Sequence, residues 1–286
     1  MRVLFLLLLC LSGVIAQTGF TKVGYIETFI VDSISISGNE KTKDYVILRE
    51  LTFSKGDTVD YKTLEYSSER VFSLGIFNRV EIYPRSLKGT NIIQIEVMES
   101  WSIYPIPIFE INNGDLKDAS YGLSLYYKNF RGRNETINFQ FTLGYDPSLS
   151  LSYYNPLIEE KNELSSTVNF SYKNASNINR EAELAYGKDF NFKQISGQFM
   201  VSKRFGSYTK VGALAGYLSI LPPDDLPVGF TASGEVKDNY PFSGLVFTYD
   251  SRDLINFPKS GYFLQTEFVH YGLGGNVDYN FIKADF

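Results

Sequence analysis

Strict two-residue alternation is the feature of this chain that most narrows what it can fold into. Ile137, Phe139, Phe141, Leu143 and Tyr145 fall on one face of an extended segment, and Asn138, Gln140, Thr142 and Gly144 fall on the other. Successive side chains of a strand point to opposite faces, so period two unbroken over this length marks a strand and not an amphipathic helix. The pattern recurs with Tyr121, Leu123, Leu125 and Tyr127 against Gly122, Ser124 and Lys128, and with Val168, Phe170 and Tyr172 against Thr167, Asn169 and Ser171. Further candidate strands lie near residues 147–156, 179–188, 193–204, 208–219, 241–250, 261–271 and 277–286, which makes ten after Trp101.

These segments run to about ten or twelve residues, which suits a tilted strand crossing a bilayer and exceeds the usual five or six. In the clearest of them the apolar face carries no charge, where a lysine or arginine at mid-bilayer would cost about 2–4 kcal/mol. Aromatic residues make up 16% of the chain and gather at segment ends, at Tyr126-Tyr127, Tyr145, Tyr153-Tyr154 and Tyr271, where interface girdles would lie. Connections alternate between short ones, such as Asp146-Pro147, and the long link from Leu221 to Tyr240, which is expected outside the cell. A soluble β-sandwich would alternate too, but strand length and the clean apolar face favour a transmembrane β-barrel.

Function classes are narrowed by what is missing. Residues 1–16 are expected to be a signal peptide, with Arg2, an uncharged stretch from Val3 to Leu11, and small residues up to Ala16. The single cysteine, Cys10, lies inside that leader, so a disulfide-stapled fold and a thiolate metal site are excluded. One histidine, His270, cannot build a multi-histidine metal centre, and it reads as an interface or lumen residue. The 32 acidic residues exceed the 27 basic ones and no basic block occurs, which argues against a nucleic-acid partner. No glycine-rich phosphate loop opens a helix after a strand. The expectation is a protein that is not an enzyme and uses no cofactor or metal.

Before Glu99 the texture differs. Ile34 and Ile36 alternate with serines and end at the turn Gly38-Asn39. Thr42 can cap a short helix carrying Tyr45, Val46, Leu48 and Leu51, and Asp60 opens a second one with Leu64, Val71 and Leu74 on one face. Gly75 supplies a left-handed residue after it, and strands around Val80-Ile82 and Ile93-Val97 follow. The order is β-α-α-β-β.

Three pieces of this region, Ile34–Thr42, Ile47–Leu51 and Ser73–Val80, resemble a POTRA domain of the BamA/TamA outer-membrane insertase family, the bacterial surface antigen family. Gly38, Asn39, Leu74, Gly75 and Phe77 carry its structural motif. Trp101–Pro107 is similar to the junction into the barrel in single-POTRA members, and Asn155-Pro156 resembles a strand-end pair. Asp250, Arg252 and Asp253 with Pro258 and Gly261 look like a mid-barrel turn motif; the charged trio reads as a network that fixes a turn. The resemblance implies an α+β POTRA domain at 30–99 in the periplasm, a junction at 100–118, and an antiparallel transmembrane β-barrel in the bacterial outer membrane at 119–286. The first barrel strand is expected near Ser120–Asn129. About ten of the family's sixteen strands are expected, and the family's later inward loop with its Arg-Gly-aromatic motif is not found, so the chain is expected to be C-terminally truncated.

The same resemblance implies outer-membrane protein assembly without ATP. Unfolded outer-membrane protein clients would add as strands to a POTRA edge formed by Phe77, Asn78, Arg79, Val80, Glu81, Ile82 and Tyr83, and the barrel would template their insertion. An edge strand also exists simply as an unpaired edge, and both readings stay open here. Implied partners are those clients, the lipid bilayer, and periplasmic chaperones or accessory lipoproteins. The alternatives are a two-partner-secretion translocation pore and a structural or diffusion barrel with no client.

Overall fold

The computed structural model describes residues 28–286 apart from 113, 160–161, 188 and 254–257, so the expected signal peptide lies outside the described residues. The first unit runs β1 (Thr28–Ile30), β2 (Ser33–Ser37), α1 (Asp44–Leu48), β3 (Thr58–Asp60), α2 (Tyr61–Phe72), β4 (Phe77–Leu87) and β5 (Thr90–Glu99). β5 is the central strand of a three-stranded sheet, parallel to β2 and antiparallel to β4. β1 and β3 form a separate two-stranded pair.

One side of this sheet is covered by the two helices because only that side is apolar. Val46, Ile47 and Val71 of the helices are buried against Ile95 and Val97 of β5, and Leu64 against Ile93. Asp60 caps α2 as its position suggests, accepting from Thr63 N at 2.8 Å. Thr42 does not cap α1: Lys43 stands at that place with no side-chain cap, and the Thr42 hydroxyl is drawn away to Glu99 and Asn129. At Gly38 the backbone has φ +84°, and a Cβ would collide with the Val97 carbonyl oxygen, so the turn after β2 accepts glycine alone.

The second unit is one sheet. Its strands are β6 (Ile103–Ile111), β7 (Ala119–Phe130), β8 (Glu135–Gly144), β9 (Ser148–Glu159), β10 (Leu164–Ser176), β11 (Asn191–Phe205), β12 (Thr209–Leu221), β13 (Asp238–Asp250), β14 (Phe263–Tyr271) and β15 (Tyr279–Asp285), with the helix α3 (Arg180–Tyr186) between β10 and β11. Each strand pairs antiparallel with its sequence neighbours, and the sheet is open between β6 and β15.

Ten strands are present, as expected, yet two assignments are corrected. Residues 179–188 form α3: Asn179 accepts from Glu181 N and Ala182 N, Gly187 closes the helix at φ +83°, and these caps outweigh the short alternation of Ala182, Leu184 and Tyr186. The span 100–118 is not only a junction, because it contains β6, and Ser120–Asn129 belongs to the second strand of the sheet. Pro105 and Pro107 fit this strand because proline is tolerated where its nitrogen faces away from a neighbour.

From β7 to β11 register separates an apolar face from a polar one, whereas further along the sheet Leu214, Phe242 and Val269 form a buried apolar cluster on the inner face. One cross-sheet row is Pro105, Leu125, Phe139, Leu151, Phe170, Gly197 and Tyr217, and most of these side chains are exposed. The adjacent row is Ser124, Gln140, Ser150, Ser171 and Ser196, on the opposite face, with the Ser171 and Ser196 hydroxyls 2.7 Å apart. Exposed apolar outside and polar inside is the arrangement of a barrel wall in lipid and the reverse of a soluble sheet. Among the described residues no helix is long and apolar enough to cross a membrane. His270 lies on the outward face opposite Ser243 and Asn280, with Nδ1 3.1 Å from Asn280 Oδ1.

The two faces differ in what they tolerate. Phe139→Lys is expected to lower folding stability in phospholipid vesicles by about 2–4 kcal/mol, whereas Gln140→Lys one residue on changes it by less than about 1 kcal/mol. Urea titration of both variants checks this, and equal losses would contradict the assignment of faces.

Candidate functional site

Three features are candidates for function: the β4 edge, the β6 edge, and the surface where the first unit meets the rim of the sheet. The predicted edge residues lie on β4, which is an outer strand of its sheet. Phe77 is buried, Val80 and Ile82 are half-buried, and Asn78, Arg79, Glu81 and Tyr83 are exposed. A bulge falls between Phe77 and Arg79, and the Ser68 hydroxyl of α2 donates to Val80 O at 3.1 Å, so the helix already takes one carbonyl of this strand. β2, on the far side, is an equally outer strand. Of the motif residues, Phe77 and Leu74 pack in the core, Asn39 donates to Thr42 O and to Asp44 Oδ1, and Gly75 has φ +67°.

The β6 edge can be resolved group by group. Lys128 N donates to Ser102 O at 2.7 Å, and these two residues are directly opposite in the β6–β7 register. Directly opposed residues that bond alternate with ones that do not, so Tyr104, Ile106, Ile108 and Glu110 turn their backbone groups towards β7. Ile103, Pro105, Pro107, Phe109 and Ile111 turn theirs outward. Both prolines therefore sit where an N–H would face away from β7. The outward edge keeps all its acceptors and lacks two donors in its middle.

The rim contact is built from pieces far apart in sequence. Glu50, at 9% side-chain exposure, receives Arg70 Nη2 at 2.6 Å and Arg204 Nη1 at 3.0 Å, with Arg49 Nε at 3.2 Å. Arg204 reaches it from the last turn of β11. Burial disfavours charge on Glu50, but the guanidiniums of Arg204, Arg70 and Arg49 outweigh that and hold its carboxyl below the ordinary value of 4.5. Further along the rim the Tyr66 and Tyr208 hydroxyls share a hydrogen bond of 2.8 Å. At the β7–β8 turn, Asn129 Nδ2 donates to the Thr42 hydroxyl, which donates to Glu99, and Lys43 N donates to Gly132 O. Gly132 has φ +72°, and a Cβ on it would strike the Lys41 carbonyl oxygen.

The predicted turn motif belongs to the same rim. The Arg252 guanidinium grips Asp250 through two bonds of 2.8 and 2.7 Å and lies over the Phe263 ring. Asp253 Oδ1 accepts from Lys259 N and Ser260 N, which ties the turn shut, and Ser73 Oγ donates to Asp253 O at 3.4 Å. Pro258 is exposed, and Gly261 has φ +99°. The network fixes a turn, and the turn touches the first unit. Sequence reading missed Arg204 and Arg70 as partners of Glu50; its one available signal was Arg204, the single charge on the inner polar face of β11.

A helix-covered three-stranded module docked on the rim of an open antiparallel sheet defines a POTRA-bearing barrel protein. A family model for the POTRA domain, described as surface antigen variable number repeat, matches residues 29–100, and one described as the Omp85 superfamily domain matches residues 129–286. The second match covers more than half of the chain, which therefore belongs to the Omp85 superfamily. The chain is 25% identical over 268 residues to the outer membrane protein assembly factor BamA of Nitratidesulfovibrio vulgaris, covering 87% of this chain and 31% of that one. It is 37% identical over 70 residues to BamA of Neorickettsia risticii, covering 24% of this chain and 10% of that one. Two solved structures share the fold at 15% identity and each covers 89% of this chain. They are BamA from Haemophilus ducreyi lacking POTRA domains 1–3, with TM-score 0.60 and 50% of that chain covered, and CdiB from Acinetobacter baumannii, with TM-score 0.52 and 48% covered. The chain thus spans about a third of the first of these curated relatives and about half of each solved structure.

Because the folded value for Glu50 is depressed, the stabilisation it provides is complete above the ordinary value of 4.5 and is lost as pH falls through the lowered one. Breaking a buried pair of this kind costs about 3–5 kcal/mol. Spin labels at exposed Lys62 and Lys259 should give a narrow distance distribution at neutral pH that broadens well below pH 4.5, and Glu50→Gln should broaden it at neutral pH. A distribution unchanged in both cases would show that this cluster does not hold the domain.

Proposed function

We propose that this protein takes part in outer-membrane protein assembly, with its POTRA domain in the periplasm and the outward edge of β6 receiving the strands of unfolded clients. The coarse reading rests on membership of the Omp85 superfamily and on curated relatives named as BamA assembly factors. The observation that carries the mechanism is the donor-poor edge of β6. An antiparallel client strand can exchange both hydrogen bonds at Ile103, Phe109 and Ile111, but at Pro105 and Pro107 it can only donate. Two client carbonyls then go unpaired, at a cost of several kcal/mol each where hydrocarbon surrounds them. Pairing is favourable at both ends and penalised in the middle, so a client is held without being locked. The exposed residues of β4, among them Arg79, offer an earlier main-chain contact. No step needs ATP.

Depleting the protein from its native cell tests the reading. Outer-membrane barrel proteins should fall together, and a photocrosslinker at Arg79 should capture unfolded precursors; loss of one exported protein alone would instead establish a translocator with a dedicated passenger. Restoring the missing donors with Pro105→Ala and Pro107→Ala should slow release of a bound client strand by at least about tenfold, since each recovered hydrogen bond in hydrocarbon is worth more than the 1.4 kcal/mol that a factor of ten requires. Unchanged release would remove the edge from the mechanism.

A further inference from the structure

A partly open cavity of about 300 Å³ lies between the POTRA domain and the inner face of the rim. Five cations line it, Arg49, Arg70, Arg204, Lys210 and Arg252, against the carboxylates Glu50, Asp250 and Asp253. Arg252 is matched by Asp250, and Asp253 is occupied with the amides of its own turn. Three guanidiniums thus converge on the single carboxylate of Glu50, at side-chain exposures of 22%, 12% and 13% for Arg49, Arg70 and Arg204. Among the described residues the next acid is Glu163, half exposed and 4.0 Å from Arg204 Nε. These guanidiniums donate to the Glu50 carboxylate and to the carbonyls of Glu50, Pro156 and Gly206.

Cations this sheltered are stabilised by pairing, and here positive charge exceeds negative on one wall of a cavity large enough for a side chain. We propose that this cavity binds the carboxylate of an acidic residue in a client polypeptide, beside Glu50. The inference rests on the assembly function proposed above and adds a chemical preference to it. Glu50 itself shows how the site takes such a group, since its two oxygens are forked by Arg204 and closed by Arg70. The Ser207 hydroxyl also lines the cavity and can join the shell. Lys210, on the inner face of β12, supplies positive charge that the Glu50 contact does not use. A client carboxylate would share Arg204 with Glu50, so occupancy of the cavity would loosen the POTRA domain from the rim.

The test uses the full chain in detergent micelles and a fluorescent peptide of alternating apolar and polar residues carrying two glutamates, compared with the same peptide carrying glutamines. The glutamate peptide should bind at least about tenfold more tightly, with an advantage that shrinks as salt rises. Lys210→Glu, which places a carboxylate in the cavity without touching the Glu50 contact, should abolish that advantage, and Arg49→Gln should reduce it. Heat-dependent electrophoretic mobility confirms that each variant is folded. Equal binding of the two peptides would overturn the proposal, as would inorganic phosphate displacing the peptide far better than chloride at equal ionic strength, which would mark a phosphate site. Because the readout is an equilibrium constant, equal binding together with general loss of barrel proteins on depletion would sink this site and leave the assembly function standing.

Discussion

Backbone hydrogen bonding is the constraint on which the rest of this structure depends. In a sheet whose outer face is apolar, N–H and C=O groups have no water to fall back on, so each strand must share its groups with a neighbour. Eight of the ten strands do so on both sides, and β6 and β15 do so on one. The alternation of side chains, the polar inner row and the placement of both prolines all answer to this one requirement. Where the requirement is relaxed, at the β6 edge, the sequence uses the one residue that has no donor to leave unsatisfied.

The POTRA domain answers to a different constraint. Its core is small, built on residues such as Ile47, Leu64, Ile93 and Ile95. It is joined to the sheet through buried polar groups that bond across the junction, Thr42 and Asn129 among them. The two units are thus coupled by satisfaction of polar groups and not by a shared apolar core. Such contacts can be made and broken at lower cost than apolar packing, provided that something else satisfies the groups released.

Much of this architecture was legible in the chain, and the failures have physical causes. Alternation located β7 to β15, most clearly in β7, β8 and β10, where one face is apolar and the other polar. The β-α-α-β-β order was legible because helix caps such as Asp60 and turn glycines such as Gly38 are local signals. β6 was missed because its stretch was read only through its likeness to a junction, and its apolar residues Ile103, Ile106, Ile108 and Phe109 fall on both faces and give no alternation. Residues 179–188 were misread because a period of two over three residues is too short to outweigh Asn179 and Gly187 as caps. The rim cluster was barely legible: Arg204 stands out as a charge on an inner polar face, but its partner does not. Glu50 and Arg204 are 154 positions apart, and nothing in either neighbourhood points to the other.

The contacts along the rim are spread over the β7–β8 turn, the end of β11, the β11–β12 turn and the β13–β14 turn, and all of them meet one compact domain. A sheet left to itself can flatten or curl more tightly, because twist between neighbouring strands varies over a wide range. Here four stations along its lower margin are referred to the same rigid block. The spacing of those stations on one small domain therefore constrains the arc on which these strands stand, so part of the sheet's curvature is written into a domain outside the sheet.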